Sequence, residues 1–552
     1  MSPTLSIVFI FAVFATFILR LLFQTSSGSD APVHVWRILS QRPHSWISHE
    51  ISDAVVGKNQ AYPKFIHFLI SRFPEKYWGV TGNLLNSGLD YLIAVIAFWS
   101  SSILVQQALS DGVLLTPELA DCLPFISVVL FLTAPVLLPI DARMKGINGR
   151  VPGMFFISIY LVCLYNLMHH SALAWSIPCM AAAYFAIATS QFALQVFLLF
   201  SAFQCIWLWS AWPLVAASAA ILINLFLGRY SILPNIKFWW IHKLWYYKSR
   251  HNVEFISSRN RFKDLLSLPK LLFTDFKRFM FIVFFTQSLT LLLINGLPVL
   301  FLLFIFTGAE PSPLFKTPFY DFWFGVVLAG ISAFVLTLKG PLKVIGEAER
   351  YLEYSFLGVA MLLPVTSGIL LTDAIPILAI LILYQVTIVL LNLLISTDPR
   401  KLFGGKLGLP PYTEAAANFL MKEGNCGKIC VIPVKSAMAL GYILRNNKTD
   451  FKLYYRHMND NSWHFSYMIK DLGGELTATD GLRWKKGKRV PSSEIFNRTA
   501  SDLVAEYGFN YFIIEKKYLD RLSEGWIRDL GTCTKMVFDH DECAVYKVLG
   551  NS

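Results

Sequence analysis

The chemistry in this sequence starts at Asp30. It stands in the run Gly28-Ser29-Asp30-Ala31-Pro32-Val33-His34-Val35-Trp36-Arg37-Ile38, a few positions beyond an apolar stretch from Leu5 to Phe23. A carboxylate held at a membrane surface can take a proton from an incoming hydroxyl, with a neighbouring charge tuning its pKa. The same residues also suit a helix start, with Ser29 or Asp30 capping a helix that begins near Pro32. Three further runs hold charged groups, with aromatics in the first and last: Ala61-Tyr62-Pro63-Lys64-Phe65-Ile66-His67, then Pro139-Ile140-Asp141-Ala142-Arg143 leading to Gly149-Arg150-Val151-Pro152-Gly153, and Gly346-Glu347-Ala348-Glu349-Arg350-Tyr351. Arginines in such places either grip phosphate oxygens with a planar fork or anchor the ends of spans. Glu349 and Glu353, four residues apart, fit one amphipathic turn with local ion pairs, and His34 and His67 read equally well as surface residues.

Elements of a particular kind must position these groups. Of 552 residues 55% are hydrophobic and 15% charged, and the mean hydropathy is +0.51. Soluble chains carry about a quarter charged residues, so this is an α-helical polytopic membrane protein. Apolar stretches long enough for about eleven spans lie near 4–23, 85–108, 122–140, 153–170, 172–189, 191–208, 211–227, 279–306, 321–339, 355–372 and 374–396. The first carries only Arg20 and is expected to be retained as a span. Two long polar segments interrupt the series. One is a first loop at 24–84; the other, 228–278, is rich in Lys, Arg, Trp and Tyr and suits helices lying in the headgroup layer. A shorter polar run covers 340–354. Residues 1–396 thus form the membrane domain and 397–552 a soluble domain. There the strand-like runs Lys428–Val434, Tyr511–Glu515 and Ala544–Val548, with a helix-like run Ser436–Leu444, argue a small α/β layer. Cys426 and Cys430 have neighbouring histidines too few for a zinc site, and a disulfide among Cys426, Cys430, Cys533 and Cys543 is left open.

The net charge of +12 sits largely beside apolar spans. That favours anionic lipid headgroups or phosphorylated lipids as partners over nucleic acid.

The Asp-then-His first loop, the Tyr-Pro-x-x-x-His run and the span order resemble the GT-C superfamily of membrane glycosyltransferases, in particular bacterial members that draw sugars from polyprenyl-phosphate carriers. Thr189-Ser190-Gln191-Phe192-Ala193-Leu194-Gln195 is similar to a Ser-Lys-Phe-x-x-Gln run of that family, although Gln191 stands where Lys is expected. The resemblance covers about residues 1–400. It implies sugar transfer by direct displacement at the anomeric carbon, with Asp30 as general base and Asp141 or Glu347 as helper or metal ligand. It implies substrate contacts from His34, Arg37, His67, Arg143, Arg150, Arg350 and Tyr351, the arginines neutralising the departing lipid phosphate. No Asp-x-Asp occurs in the first loop, so a divalent metal is neither required nor excluded. A transporter or flippase for a lipid-linked or anionic substrate is the alternative, and it conflicts with the absence of repeats and the placement of ionisable residues at span ends.

Orientation pulls two ways. With the N-terminus inside, an eleven-span count puts the first loop, 141–152, 228–278, 340–354 and the soluble domain together on the outside. Yet Arg229–Arg278 holds eleven Lys/Arg against three Asp/Glu, while 109–121 on the other side holds three acids and no base. The positive-inside rule prefers the reverse. The expectation adopted is the resemblance's, with the chain in a bacterial inner membrane and the soluble domain extracytoplasmic, because binding lipid phosphate requires basic groups on that face.

Overall fold

The computed structural model describes residues 65–113, 115–135, 149–170, 172–227, 262–283, 287–308, 312–338, 348–371, 373–396, 411–432, 434–454, 482–485, 488–491, 499–516 and 524–550, with strand 54–56 and isolated positions besides. Seventeen α-helices lie among the described residues, numbered in chain order. They are α1 (Phe65–Ser71), α2 (Trp78–Ser110), α3 (Pro117–Leu132), α4 (Arg150–His169), α5 (Ala172–Thr189), α6 (Gln191–Trp207), α7 (Trp212–Leu227), α8 (Phe262–Thr274) and α9 (Phe276–Phe281). They continue with α10 (Ser288–Gly308), α11 (Pro318–Leu338), α12 (Glu349–Leu370), α13 (Ala374–Ser396), α14 (Pro411–Glu423), α15 (Val434–Asn446), α16 (Ala500–Tyr507) and α17 (Glu524–Cys533). Two compact units separate: one takes Met1–Thr25, Gly79–Leu227 and Arg259–Gly405, the other Ser26–Trp78, Gly228–Ser258 and Lys406–Ser552.

The first unit is a helical bundle. Every expected span after the first has a helix, including the four closely spaced ones in 153–227; the first span, 4–23, lies outside the described residues but for Phe14. Among the described residues six helices are long and apolar enough to cross a membrane, and α5, α6 and α7 are shorter apolar helices. Burial sorts the bundle from inside to outside. The most apolar window of α12 is 94% buried, whereas those of α10 and α13 are 33% and 28% buried, so α12 is the axis and the other two present their flanks to lipid.

Two boundaries differ from expectation in ways that matter. The span expected at 279–306 starts only at Ser288, after a break in which the Gln287 amide donates to the Ile282 carbonyl at 3.2 Å. The span expected at 355–372 starts six residues earlier, at Glu349, so the polar run expected at 340–354 gives up its last turn and a half to the buried helix. Glu353 is admitted there because it pairs with Arg150, and Glu349 accepts from Ser288. Asp90, inside α2, is fully buried and therefore faces protein, as the cost of a carboxylate in lipid requires.

With lipid outside, helices cannot be driven together by hydrophobic burial alone, so close backbone approach and polar links matter more. The Tyr320 and Thr366 hydroxyls lie 2.9 Å apart between α11 and α12. Thr133 donates to Gln385 Oε1 at 2.8 Å between the end of α3 and α13, and Ser127 donates to Ser101 Oγ at 2.9 Å between α3 and α2. At Gly330 of α11 the Ser355 side chain of α12 occupies the place a Cβ would take.

The second unit carries a six-stranded sheet. Its strands are β1 (Ala54–Val56), β2 (Asn425–Ile432), β3 (Asp450–Tyr454), β6 (Tyr511–Glu515), β7 (Thr534–Asp539) and β8 (Cys543–Val548), in the order β1-β3-β2-β6-β8-β7; β4 (Leu482–Lys485) and β5 (Lys488–Pro491) form a separate hairpin. The first four strands of that order run parallel, while β8 and β7 are antiparallel additions. Helices α14 and α15 cover one face through Ala416, Leu420, Leu440 and Leu444. Helices α16 and α17 cover the other through Leu503, Trp526 and Leu530. This is the expected α/β layer, and residues 54–56 of the first loop belong to its sheet. The four cysteines of this unit are free thiols. Burial pushes Cys426 and Cys543 up to about 11 and raises Cys430 further, so none is a nucleophile at neutral pH. Lys547 of β8 donates to Glu423 at 3.0 Å, and this bond with that from Tyr511 holds the Glu423 carboxyl below its usual range.

Replacing Gly330 by Val should force α11 and α12 apart. The expected cost is about 1–3 kcal/mol, read as a lowered unfolding temperature of the detergent-solubilised protein relative to Gly330→Ala, which adds less bulk. Equal melting of Gly330→Val and the unaltered chain would show that the interface relaxes.

Candidate active site

A polar cluster forms where helix starts of the first unit converge, and its members come from distant parts of the sequence. Arg150 is the first residue of α4. Its Nη2 lies 2.9 Å from Glu353 Oε1, with side-chain exposures of 10% and 2%. Glu353 sits one turn into α12 and could not be buried there without a counter-charge. Two glycines let the elements close. Any side chain at Gly149 would overlap the Thr189 carbonyl at the end of α5, and a Cβ at Gly153 would come within 2.8 Å of the Ser190 Cβ. The start of α4 is thus pressed against the turn that joins α5 to α6.

That turn is organised by Ser190, whose Oγ accepts from the Ala193 amide and so caps α6. Phe192 follows. Its ring packs at 4.9 Å from Tyr351 and 5.8 Å from Tyr354, and the Arg350 guanidinium lies over it at 5.5 Å. One turn further along α6, Gln195 accepts a hydrogen bond from the Tyr351 hydroxyl at 3.3 Å. On the other side of α12, Ser288 at the start of α10 donates to Glu349 at 3.3 Å. The starts of α4, α6, α10 and α12 therefore meet at one end of the bundle.

The electrostatics follow from this convergence. Helices α4, α6, α10 and α12 all begin here, and each helix start carries partial positive charge on its free amides. Arg150 is paired with Glu353, and the Arg350 guanidinium is half-buried over the Phe192 ring. Such a place attracts an anion. The opposite end of the bundle is built differently: there Asp321 accepts from the Trp207 indole at 3.0 Å, a structural lock between α6 and α11.

Of the residues expected to act, the structure brings Arg150, Arg350 and Tyr351 together. His67 lies in the second unit, fully buried within α1 rather than at a surface. Asp30, His34, Arg37, Asp141, Arg143 and Glu347 lie outside the described residues. Among the described residues no three His, Cys, Asp or Glu side chains gather as a metal-ligand set. The sequence reading gave Glu353 a local role with Glu349; its partner is instead Arg150, some two hundred residues earlier. The available signal was a carboxylate among apolar residues of a span, which has to find a positive partner somewhere.

No family model and no curated protein matches this sequence. Among solved structures, the chain is similar to the oligosaccharyltransferase of Archaeoglobus fulgidus tethered to an acceptor peptide containing an NVT sequon. The identity is 11%, the coverage 98% of this chain and 74% of that one, and the TM-score 0.47. The same enzyme in complex with zinc and sulfate gives 11%, the same coverage and a TM-score of 0.46.

Breaking the buried pair from one side leaves a charge without its counterpart. Glu353→Gln should lower stability by about 3–5 kcal/mol, and Arg150→Met combined with Glu353→Leu should recover most of that. Thermal unfolding of the purified variants measures both, and a Glu353→Gln protein as stable as the parent would mean the pair does not hold α4 to α12.

Proposed function

We propose that this chain is a membrane glycosyltransferase of the GT-C kind, moving a sugar from a lipid-phosphate-linked donor to an acceptor at the extracytoplasmic face of a bacterial inner membrane. The observation that carries the reading is the convergence of Arg150, Arg350 and Tyr351 with four helix starts at one end of the bundle. All three were singled out beforehand by their resemblance to motifs of that superfamily.

The chemistry then divides among the residues. A donor whose tail lies in the bilayer brings its phosphate to the level of the helix starts. Arg350 and the free amides there stabilise the negative charge that grows on the leaving phosphate as the anomeric bond breaks, which is where fixed donors contribute most. Arg150, already committed to Glu353, positions the start of α4 against the Thr189–Ser190 turn. Asp30 takes the acceptor's proton, with Asp141 or Glu347 assisting it or holding a divalent metal. His34, Arg37, His67 and Arg143 complete the substrate contacts in this reading, and the burial of His67 makes it the weakest of them.

The Asp30→Asn variant should reach the membrane at parental abundance and lose sugar transfer by about 10²–10⁴-fold, the usual worth of a general base. Arg350→Ala should reduce transfer by about 10²–10³-fold, with Arg350→Lys partly active. Incorporation of labelled sugar from a membrane lipid extract reads both, and parental rates in Asp30→Asn would remove the catalytic assignment. Orientation is tested separately with a compartment-sensitive reporter after Ser552 or within 340–354. Both are expected to report the outer side; two inner-side signals would favour a cytoplasm-facing lipid enzyme or a transporter.

A further inference from the structure

Helix α8 has an exposed side with two different flanks. Leu266, Pro269, Phe273 and Phe276 recur at three- and four-residue steps across α8 and into α9, the spacing of a single helical stripe. Leu266 is 68% exposed, Phe273 87% and Phe276 58%. Beside this stripe lie Lys263 and Lys270, seven residues apart, with Arg278 beyond them, all exposed. The neighbouring acids offset little of that charge, since Asp264 is half-buried and the Asp275 carboxylate accepts from the Arg278 amide as the cap of α9.

The position of this helix says what covers it. The chain runs from α9 into the membrane helix α10 through hydrogen-bonded turns, Gln287 to Ile282 and Thr290 to Val283. It therefore arrives at the end of the bundle where Ser288 meets Glu349. A helix tied to the start of a span, with an apolar flank next to a basic one, matches a bilayer interface: rings and leucines among the upper acyl carbons, lysine and arginine ends at the phosphates. We propose that α8 and α9 lie in the headgroup layer and dock on anionic phospholipid, fixing the segment that enters α10 at the depth of the polar cluster. A soluble anion would use the basic flank and leave the apolar one in water. This inference rests on the membrane nature of the chain and not on sugar transfer.

The test uses the full-length protein carrying Phe273→Cys with a nitroxide label, reconstituted in vesicles of phosphatidylcholine alone or with phosphatidylglycerol. The parent chain, with partly exposed Cys205 and Cys533, sets the background. Collision with oxygen, which concentrates in lipid, should exceed collision with a water-soluble nickel chelate, and more so with the anionic lipid. Adding Lys263→Gln, Lys270→Gln and Arg278→Gln should reduce the inserted fraction by about fivefold per charge in anionic vesicles and little in neutral ones. A label at 273 as open to the chelate as one at exposed Met536 would overturn the proposal. So would insertion indifferent to both lipid charge and the triple substitution. Concentration-dependent dipolar broadening between labels would overturn it too, by placing a second copy of the chain on this face.

Discussion

Taking a guanidinium and a carboxylate out of water costs several kcal/mol for each, and only their mutual pairing makes it tolerable. The architecture of the membrane unit turns on one such pairing, Arg150 with Glu353. Glu353 belongs to α12, the most deeply buried span, and Arg150 opens α4. Because neither charge can be left alone, the two helices are fixed in register as well as in proximity. The consequences spread outward: Gly149 and Gly153 bring the start of α4 onto the Thr189–Ser190 turn, which sets the direction of α6 and hence the placement of Phe192 and Gln195 against Tyr351. A single electrostatic requirement therefore gathers four helix starts on one face.

Much of the helical framework was legible because the rule behind it is strict. A segment in hydrocarbon must satisfy its own backbone, so long apolar runs become helices with few alternatives. That is why the crowded 153–227 stretch resolves into the four helices its length suggests. What escaped was where polar residues re-enter the helices. The start of α12 at Glu349 depends on a partner some two hundred residues away, and no local pattern around Glu353 points to Arg150. The start of α10 at Ser288 was hidden for the opposite reason, since the sequence from Phe279 to Phe285 is as apolar as a span, while α9 ends at Phe281 and the Gln287 amide turns back to the Ile282 carbonyl.

The candidate site was legible in the same uneven way. Arg150, Arg350 and Tyr351 were visible as charged and aromatic residues at span ends, and they do assemble. Ser190 and Gln195 stood inside a noted run, but their tasks, capping α6 and accepting from Tyr351, became apparent only in three dimensions. His67 could be read as a surface group from its place in the polar 24–84 segment, but its immediate neighbours Phe65, Ile66, Phe68 and Leu69 are apolar, and in α1 it is completely buried. In the sheet of the second unit the parallel strands were readable as short apolar runs, whereas the pairing of residues 54–56 with them was not, because pairing partners leave no mark in a three-residue strand.

That small strand has a consequence for how the chain comes to be made. Among the described residues β1 takes its one neighbour in the sheet, β3, from residues almost four hundred positions later. Synthesis runs from the N-terminus, so every described span of the bundle has left the ribosome before the edge that receives β1 exists. The segment around 54–56 must wait, its strand-forming residues without a template, while the spans after it are inserted, and contacts this distant in sequence are the slow ones to form. The edge of the second unit's sheet is thus a late event in biogenesis: β1 is received only once β3 has been made, and a chain truncated before it would leave β1 as an open edge offered to whatever strand comes by.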